Sequence, residues 1–299
     1  MSVMRADPGV LSWRPLAEGD FAAVAELATR CLEADGGQPF AASLDFLRRS
    51  YPVGGYSRAG FDGGRLVCVT SLHGGWQAGP GTGDTEVTTG LLDPSWRRRG
   101  VGGGAFDWMC AMAGGRAVRA EAEALGDGAH ALYLSRGLRQ VFAEDVMQLS
   151  ELDQVVAPGR PAGLVLSHWG VADPARFFGV YDAAFRDRPN VPGRTQPQWI
   201  EWISDDEDFR AEWTLLATLD GADAGFIAGA ATGWIVQLGV VPQARGRALG
   251  ATMIAEVVRR MRSAGETTVT LNVNIDNQHA AALYERAGFT RTGRRARYE

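Results

Sequence analysis

Apolar residues recur along the first half of this chain with two different periods, one typical of strands and one typical of helices. Strand-like runs cover residues 11–15, 56–61, 65–71, 85–92, 117–124 and 140–149. Helical spacing covers residues 21–33 and 42–49, the stretch after Gly102, and the segment around Tyr133. Asp20 is a favourable N-cap for the first helix. Asp62-Gly63-Gly64 predicts a hairpin turn.

The second half repeats this order of elements. Strands are predicted at residues 164–168, 213–219, 225–230, 234–240 and 267–273, with a short strand at the end. Helices are predicted at 175–185, 196–203 and 251–262 and around Tyr284. A Gly-rich loop at 74–83 precedes the strand at 85–92, and Pro158 and Pro161 mark residues 153–162 as a linker. The pattern predicts an α/β class (α+β, mixed sheet) with two domains, 1–152 and 163–299.

A turn of small and basic residues joins the strand that ends at Val240 to the helix that follows it. Unpaired N–H groups and the helix dipole make such a helix start suited to a pyrophosphate, and nearby arginines add positive charge. We expect the methyl group of Ala248 to crowd the closest backbone approach while leaving a negative φ accessible. The turn residues predicted to hold the phosphates are Arg245, Gly246, Arg247, Ala248, Leu249 and Gly250.

The first half carries the same turn, with Pro94 preceding Pro242 by 148 positions. Its corresponding residues are Leu92, Arg97, Arg98, Arg99, Gly100, Val101 and Gly102. Farther along, a Leu-Tyr pair followed by a Gly also recurs, and Tyr284 follows Tyr133 by 151 positions. Two matched motifs in matched order indicate an internal duplication.

These residues carry a family resemblance. The Arg-x-x-Gly/Ala-x-Gly turn, followed by Asn277-x-x-Ala280-x-x-Leu283-Tyr284-x-x-x-Gly288-Phe289, resembles the GNAT superfamily of acetyl-CoA-dependent N-acetyltransferases. The doubled arrangement is similar to the tandem-GNAT group, which includes mycothiol synthase. The resemblance covers nearly the whole chain, and its motifs are specific for acyl-CoA and poorly specific for the acceptor.

The resemblance implies roles for individual residues. Tyr284 would be the general acid, because a phenol stays protonated at neutral pH and can donate to the departing thiolate. Asn277 would contact the pantetheine arm, although its position equally suits a plain N-cap. The backbone groups of Leu238 and Val240 would face the pantetheine amides, where an ordinary buried strand is the alternative.

The general base is missing from the expected place. An acidic residue on the C-terminal motif strand is the base in mycothiol synthase-like proteins, whereas this strand carries Gln237 and no carboxylate, and Glu86 of the first half corresponds to Trp234. The exposed-looking acidic run at 205–208 either attracts a cationic amine or is a solvated loop.

The resemblance places catalysis in the second half and leaves the first half as a structural or cofactor-holding domain. Three functions stay open: acetylation of a primary amine on a small polar metabolite, mycothiol synthesis, and non-catalytic acyl-CoA binding.

Composition limits the partners and the compartment. The formal net charge of −5 and the pI near 5.5 argue against a nucleic-acid-binding face. The three scattered cysteines, Cys31, Cys68 and Cys110, suggest reduced thiols and no metal site. Neither a signal peptide nor a membrane span is evident. We therefore expect a cytoplasmic bacterial protein, monomeric or homodimeric, that uses acetyl-CoA and a small amine.

Overall fold

A computed structural model describes residues 11–74, 85–155, 158–186 and 193–299. Packing divides the chain into two units, Met1–Val146 with Thr292–Glu299, and Met147–Arg291. The predicted boundary at 153–162 concerns the sequence repeats and stays a prediction. The loop predicted at 74–83 lies, apart from Gly74, outside the described residues.

The first unit is built mainly from the first half of the chain. Its strands are β1 (Ser12–Pro15), β2 (Tyr56–Asp62), β3 (Arg65–Gly74), β4 (Thr85–Leu92), β5 (Ala117–Ala122) and β6 (Gln140–Leu149), of which β6 continues past the unit boundary. Its helices are α1 (Phe21–Asp35), α2 (Leu44–Ser50), α3 (Val101–Ala113) and α4 (Asp127–Ser135). Strands β1 to β4 pair antiparallel in chain order, and β4 pairs parallel with β5. The apolar face of α1, with Phe21, Val24 and Leu27, is buried against this sheet.

The last strand of the chain belongs to this first unit. Strand β12 (Thr290–Tyr298) lies between β5 and β6, and it pairs antiparallel with β5 through Ala296 and Ala122. A short strand was predicted at the end of the chain; the strand is present but is longer than predicted, and its partners had not been predicted. Periodicity reports that a strand exists but carries no information about which distant strand it joins.

Ion pairs fix β12 in this position. Arg295 contacts Glu123 and Glu144 at 3.2 and 3.0 Å, and its side chain is only 21% exposed. Burial lowers the pKa of Arg295, but the two carboxylates outweigh burial and the net shift is upward. Further pairs along the strand join Arg294 to Asp145, Arg297 to Glu121, and Arg119 to Glu299.

We expect Arg295→Ala to destabilise the first unit by about 1–3 kcal/mol, because two largely buried carboxylates would lose their charged donor. Urea unfolding would measure this loss. Arg259→Ala is the matched control, since Arg259 pairs with Glu256 on an exposed helix face and is 56% exposed. Such surface pairs contribute less than about 1 kcal/mol. Equal losses in both variants would mean that the β12 ion pairs do not hold the strand.

The second unit repeats the arrangement. Its strands are β7 (Leu164–His168), β8 (Leu215–Leu219), β9 (Ala222–Ala230), β10 (Trp234–Val240) and β11 (Val269–Asn274), in the spatial order β11-β10-β9-β8-β7. Its helices are α5 (Pro174–Phe185), α6 (Gln196–Ser204), α7 (Leu249–Ser263) and α8 (Gln278–Arg286). The apolar stripe of α7 is fully buried on one face of the sheet. An aromatic cluster around Phe177, Tyr181 and Trp199 covers the other face from α5 and α6.

These mixed strands with flanking helices confirm the predicted fold class. Two further local predictions differ from the structure. Asp20 makes no cap hydrogen bond to α1; instead it accepts from the Ala17 N–H at 2.9 Å and pairs with Arg14. Trp213 lies in a 3-10 turn, Ala211–Trp213, and not in a strand. Among the described residues, no helix is long and apolar enough to cross a membrane.

Candidate active site

The turn between β10 and α7 contains two residues in the left-handed conformation. Gly246 has a φ of 76° and Ala248 has a φ of 59°. Ala248 is the N-cap of α7, which begins at Leu249. Ala248 does not adopt the negative φ that its methyl group leaves accessible, and an alanine held this way costs about 1–2 kcal/mol. The geometry aims the first N–H groups of α7 out of the turn, as an anion site requires.

Gly250 lies where a side chain would collide with a neighbouring helix. A Cβ atom there would be 2.9 Å from Cδ2 of Leu283 and 3.8 Å from Cδ2 of Leu238. Leu249 is buried in the core, so only its backbone is available to a ligand. The first turn of α7 therefore presents bare backbone beside α8.

The two arginines of this turn have different surroundings. Nε of Arg245 donates to the carbonyl of Val240 at 3.2 Å, and its terminal nitrogen lies 3.4 Å from the carbonyl of Ala184. Arg247 is half exposed and lies 3.3 Å from a carboxylate oxygen of Asp220. Arg245 thus stabilises the end of the strand, whereas Arg247 keeps its charge near solvent.

Strand β10 separates from β11 part-way along its length. The parallel pairing covers only Trp234 with Thr270 and Ile235 with Leu271, although β10 continues to Val240. A bulge between Ile235 and Gln237 interrupts its pairing with β9. Bulges often re-aim side chains beside active sites. The edge of β10 that faces β11 is therefore open at Leu238 and Val240, where the sequence analysis expects the pantetheine amides.

Helix α8 brings Asn277 and Tyr284 next to this opening. The side chain of Asn277 accepts from the Ala280 N–H at 3.3 Å, which confirms its role as N-cap. Tyr284 is buried, 6% exposed, and its ring lies 6.0 Å from that of Phe289. Its neighbour Leu283 is the residue that approaches Gly250.

Gln237 directly follows the bulge, and Trp199 fixes its side chain. Nε1 of Trp199 donates to Oε1 of Gln237 at 3.3 Å, so the amide nitrogen of Gln237 is directed elsewhere. This contact joins residues 38 positions apart, and no sequence motif predicts it. The four acidic residues at 205–208 are exposed to solvent.

The first unit builds the same turn from different residues. Arg98 and Gly100 have φ values of 64° and 81°, so the two left-handed positions match those of the second unit. In each copy, one of the two is glycine and the other carries a side chain. Arg99 donates to the carbonyl of Ser95 at 2.9 Å, and its guanidinium lies 4.8 Å from the ring centre of Trp96. Val101 packs against an apolar cluster, and a Cβ at Gly102 would lie 3.5 Å from Cδ2 of Leu92.

Asp35 holds Arg97 in a two-pronged ion pair, with distances of 2.7 and 2.6 Å. Gly126, which stands where the second unit has Asn277, packs on this carboxylate, since a Cβ there would lie 2.4 Å from Oδ1 of Asp35. Sequence reasoning missed Asp35, because the pair spans 62 positions. The one hint in the sequence was the glycine at position 126, where the second half has Asn277, because it indicates that another group fills the space of a side chain there.

Tyr133 is largely buried in the first unit. Its ring lies 4.9 Å from Tyr298 of β12 and 5.6 Å from Phe106. Burial raises the pKa of Tyr133 to about 12. Strand β4 pairs with β3 without a bulge, unlike β10. Across the described part of the chain, no group of three or more metal-binding side chains comes together.

Comparisons with known proteins place these features in context. The Acetyltransferase (GNAT) family matches residues 177–289. A mycothiol acetyltransferase of Clavibacter michiganensis is 31% identical, with 76% of this chain and 78% of that protein covered. A mycothiol acetyltransferase of Mycolicibacterium smegmatis is 30% identical, with 70% and 74% covered.

Solved structures share the fold over nearly the whole length. A GCN5-related N-acetyltransferase from Sphaerobacter thermophilus has a TM-score of 0.74 at 24% identity, with 98% of this chain and 96% of that chain covered. A tandem GNAT protein from the clavulanic acid biosynthesis pathway has a TM-score of 0.62 at 20% identity, with 96% and 97% covered.

Proposed function

This chain belongs to the GNAT family of acetyltransferases, and we propose that its second unit transfers the acetyl group of acetyl-CoA to a primary amine of a small polar molecule. The observation that carries the proposal is the open edge of β10, which leads into the left-handed turn at the start of α7. Helix α8 brings Tyr284 to the same region.

The residues of the second unit fit an acyl-CoA. The backbone of residues 246–250 would hold the phosphates, because a Gly at position 250 leaves its N–H groups uncovered and Arg247 adds a positive charge. Leu238 and Val240 would offer backbone groups to an amide-bearing arm. The carbonyl of Val240 already accepts from Arg245, which leaves its N–H for this purpose. Acetyl-CoA supplies an activated thioester when bound, so no covalent nucleophile is needed on the protein.

Tyr284 would donate its phenolic proton to the departing sulfur. A phenol with a reference pKa of about 10 keeps its proton at neutral pH yet is acidic enough to assist a thiolate. Gln237 has a different role, because an amide does not take up a proton at this pH. With its oxygen bound to Trp199, its amide nitrogen would donate a hydrogen bond to the acceptor or the acyl group.

The amine must lose a proton before it attacks, and β10 carries no carboxylate to remove it. We expect the rising limb of kcat/KM against pH to follow an apparent pKa close to that of the free amine, with water taking the proton. Gln237→Glu would add a carboxylate next to the bulge, so the rising limb is expected to move to lower pH. Initial rates measured across pH would show the shift.

The matched control is Gln237→Met, which keeps the length of the side chain without a titratable group and should leave the midpoint of the profile unmoved. A carboxylate-like midpoint in the wild-type enzyme would contradict the proposal that no carboxylate acts as base. The acidic run at 205–208 is the first group to neutralise in that case. Its attraction for cationic acceptors, which weakens as salt rises, stays a prediction.

Turnover with a panel of amines tests the function itself. Release of free thiol from acetyl-CoA would be followed with amino sugars, amino acid derivatives and simple amines, and mass spectrometry would identify the acetylated product. Binding of acetyl-CoA without thiol release on any amine in the panel or in a bacterial extract would favour the non-catalytic alternative.

A second candidate acceptor is the amine acetylated in mycothiol formation. The names of the relatives favour it, since 31% identity extends over 76% of this chain. The absence of an acidic residue on β10, which carries Trp234 and Gln237 instead, argues against this acceptor. Competition between this amine and a simple amino sugar, measured as the ratio of kcat/KM values, would decide between the two.

A further inference from the structure

The first unit contains a cavity of about 550 Å³ between its sheet and the helices α3 and α4. This volume lies in the usual range for small-molecule sites. One part of the lining belongs to the turn, with Arg97, Arg98 and Gly100. Another part is apolar and comes from Phe106 and Leu132. The cavity therefore joins a cationic turn to an apolar chamber.

The repeat explains why there is room. At four matched positions along the motif strand and helix, the first unit carries the smaller side chain: Gly90 for Leu238, Gly103 for Ala251, Gly104 for Thr252, and Ala105 for Met253. Gly90 and Ala105 both line the cavity. In the second unit, Met253 is fully buried in the core, and Leu238 packs on the same core. Space that side chains fill in one copy is open in the other.

Four of the five charged side chains that line the cavity form two ion pairs, Asp35 with Arg97 and Asp107 with Arg136. The carboxylate of Asp35 is neutralised by Arg97 at 2.7 and 2.6 Å. Cys31 also lines the cavity, and its burial raises the pKa of the thiol to about 11, so it is uncharged at neutral pH. Thr70 is satisfied internally, since its hydroxyl contacts the sulfur of Met109.

We propose that the first unit binds an acyl-CoA whose acyl group is longer than acetyl, with the acyl chain in the chamber beside Gly90 and Ala105. This inference rests on the proposed acyl-CoA affinity of the turns but not on catalysis by the second unit. The first unit acts as a binding site, because β4 lacks the bulge of β10, and because burial raises the pKa of Tyr133, which lines the cavity, to about 12.

Calorimetry on the full chain with CoA, acetyl-CoA, butyryl-CoA and hexanoyl-CoA tests the proposal. Each buried methylene is expected to raise the affinity about fourfold, which gives on the order of tenfold from acetyl- to butyryl-CoA. The second unit should not show this gain, since Leu238 and Met253 occupy the corresponding space. Two binding events with different chain-length dependence are the expected result.

Gly90→Leu introduces the side chain of the second unit, and it should abolish the chain-length gain. A Cβ at position 90 would lie 3.3 Å from the carbonyl oxygen of Val69, so the strand has to shift by a few tenths of an ångström. Ala105→Met, which copies Met253, makes the same test from the helix. Circular dichroism and thermal unfolding check the fold of each variant.

Four outcomes are distinguishable. Loss of the chain-length gain in a folded variant, with acetyl transfer retained, supports the proposal. An affinity that does not change from acetyl- to hexanoyl-CoA in the wild type overturns it, as does a gain that survives in both folded variants. Absence of amine acetylation with the chain-length gain intact would contradict only the proposed function of the second unit.

Discussion

Tyr284→Phe is expected to lower kcat by about 10²–10⁴-fold, the usual contribution of a general acid. The affinity for acetyl-CoA should hardly change, because the ring is retained and continues to pack beside Phe289. Tyr284 is 6% exposed and belongs to the core of the second unit, so the phenyl ring of the variant would fill the same space. Steady-state kinetics, together with calorimetry for acetyl-CoA, would separate the two quantities.

The matched control is Tyr133→Phe. Tyr133 follows the same Leu-Tyr pattern in the first unit, but it is packed between Phe106 and Tyr298. Its pKa of about 12 makes it a weaker acid than a solvent-exposed phenol. We expect its loss to change kcat less than tenfold. A loss equal to or larger than that of Tyr284→Phe would transfer the active site to the first unit.

Local pattern predicted the motif elements well. Strands β4 and β10 begin and end at the predicted residues, Thr85–Leu92 and Trp234–Val240. Each run is bounded by Pro and turn residues two positions later, so neighbouring residues alone define the element. The internal repeat predicted the same boundaries a second time, from different residues.

Contacts between distant residues could not be predicted this way. The ion pair of Asp35 with Arg97 and the hydrogen bond of Trp199 with Gln237 join helices to a turn or a strand that lie far away in sequence. Neither pair produces a periodic pattern in the sequence from which it could be predicted. The position of β12 is the largest case, because strand pairing is decided by the whole sheet.

The left-handed turn shows a different limit of prediction from sequence, which concerns backbone conformation. The sequence places a glycine at one of the two left-handed positions in each copy, Gly246 in one and Gly100 in the other. The preference of glycine for a positive φ therefore predicts only one of the two left-handed residues in each turn. Ala248 and Arg98 adopt the same conformation at a cost of about 1–2 kcal/mol each. Strain that the surrounding structure maintains at matched positions is typical of functional sites.

Gly250→Glu is expected to reduce acetyl-CoA affinity in the second unit by on the order of a hundredfold or more. A carboxylate there would stand in the first turn of α7, where the phosphates are proposed to bind. Two unit charges about 4 Å apart near a protein surface repel by about 4 kcal/mol. A side chain at position 250 would also meet Leu283, whose Cδ2 lies 2.9 Å from the Cβ position.

The fold should survive this change, which makes the result interpretable. An acidic residue in the first turn of a helix interacts favourably with the helix dipole, and replacing glycine improves helix propensity by about 1 kcal/mol. Leu283 is in contact through the end of a flexible side chain, so it can rotate aside. Thermal unfolding should therefore be close to that of the wild type.

Gly250→Ala and Gly102→Glu separate the causes. Gly250→Ala adds the steric contact with Leu283 without the charge, and a small loss of affinity in this variant would assign most of the effect to repulsion. Gly102→Glu places the same charge in the first unit, where it should remove acyl-CoA binding there and leave acetyl transfer intact. Calorimetry gives affinity and stoichiometry for each protein. Unchanged affinity and stoichiometry in Gly250→Glu would mean that the phosphates bind away from the α7 turn, and the acyl-CoA would then have to enter the opening of β10 from another direction.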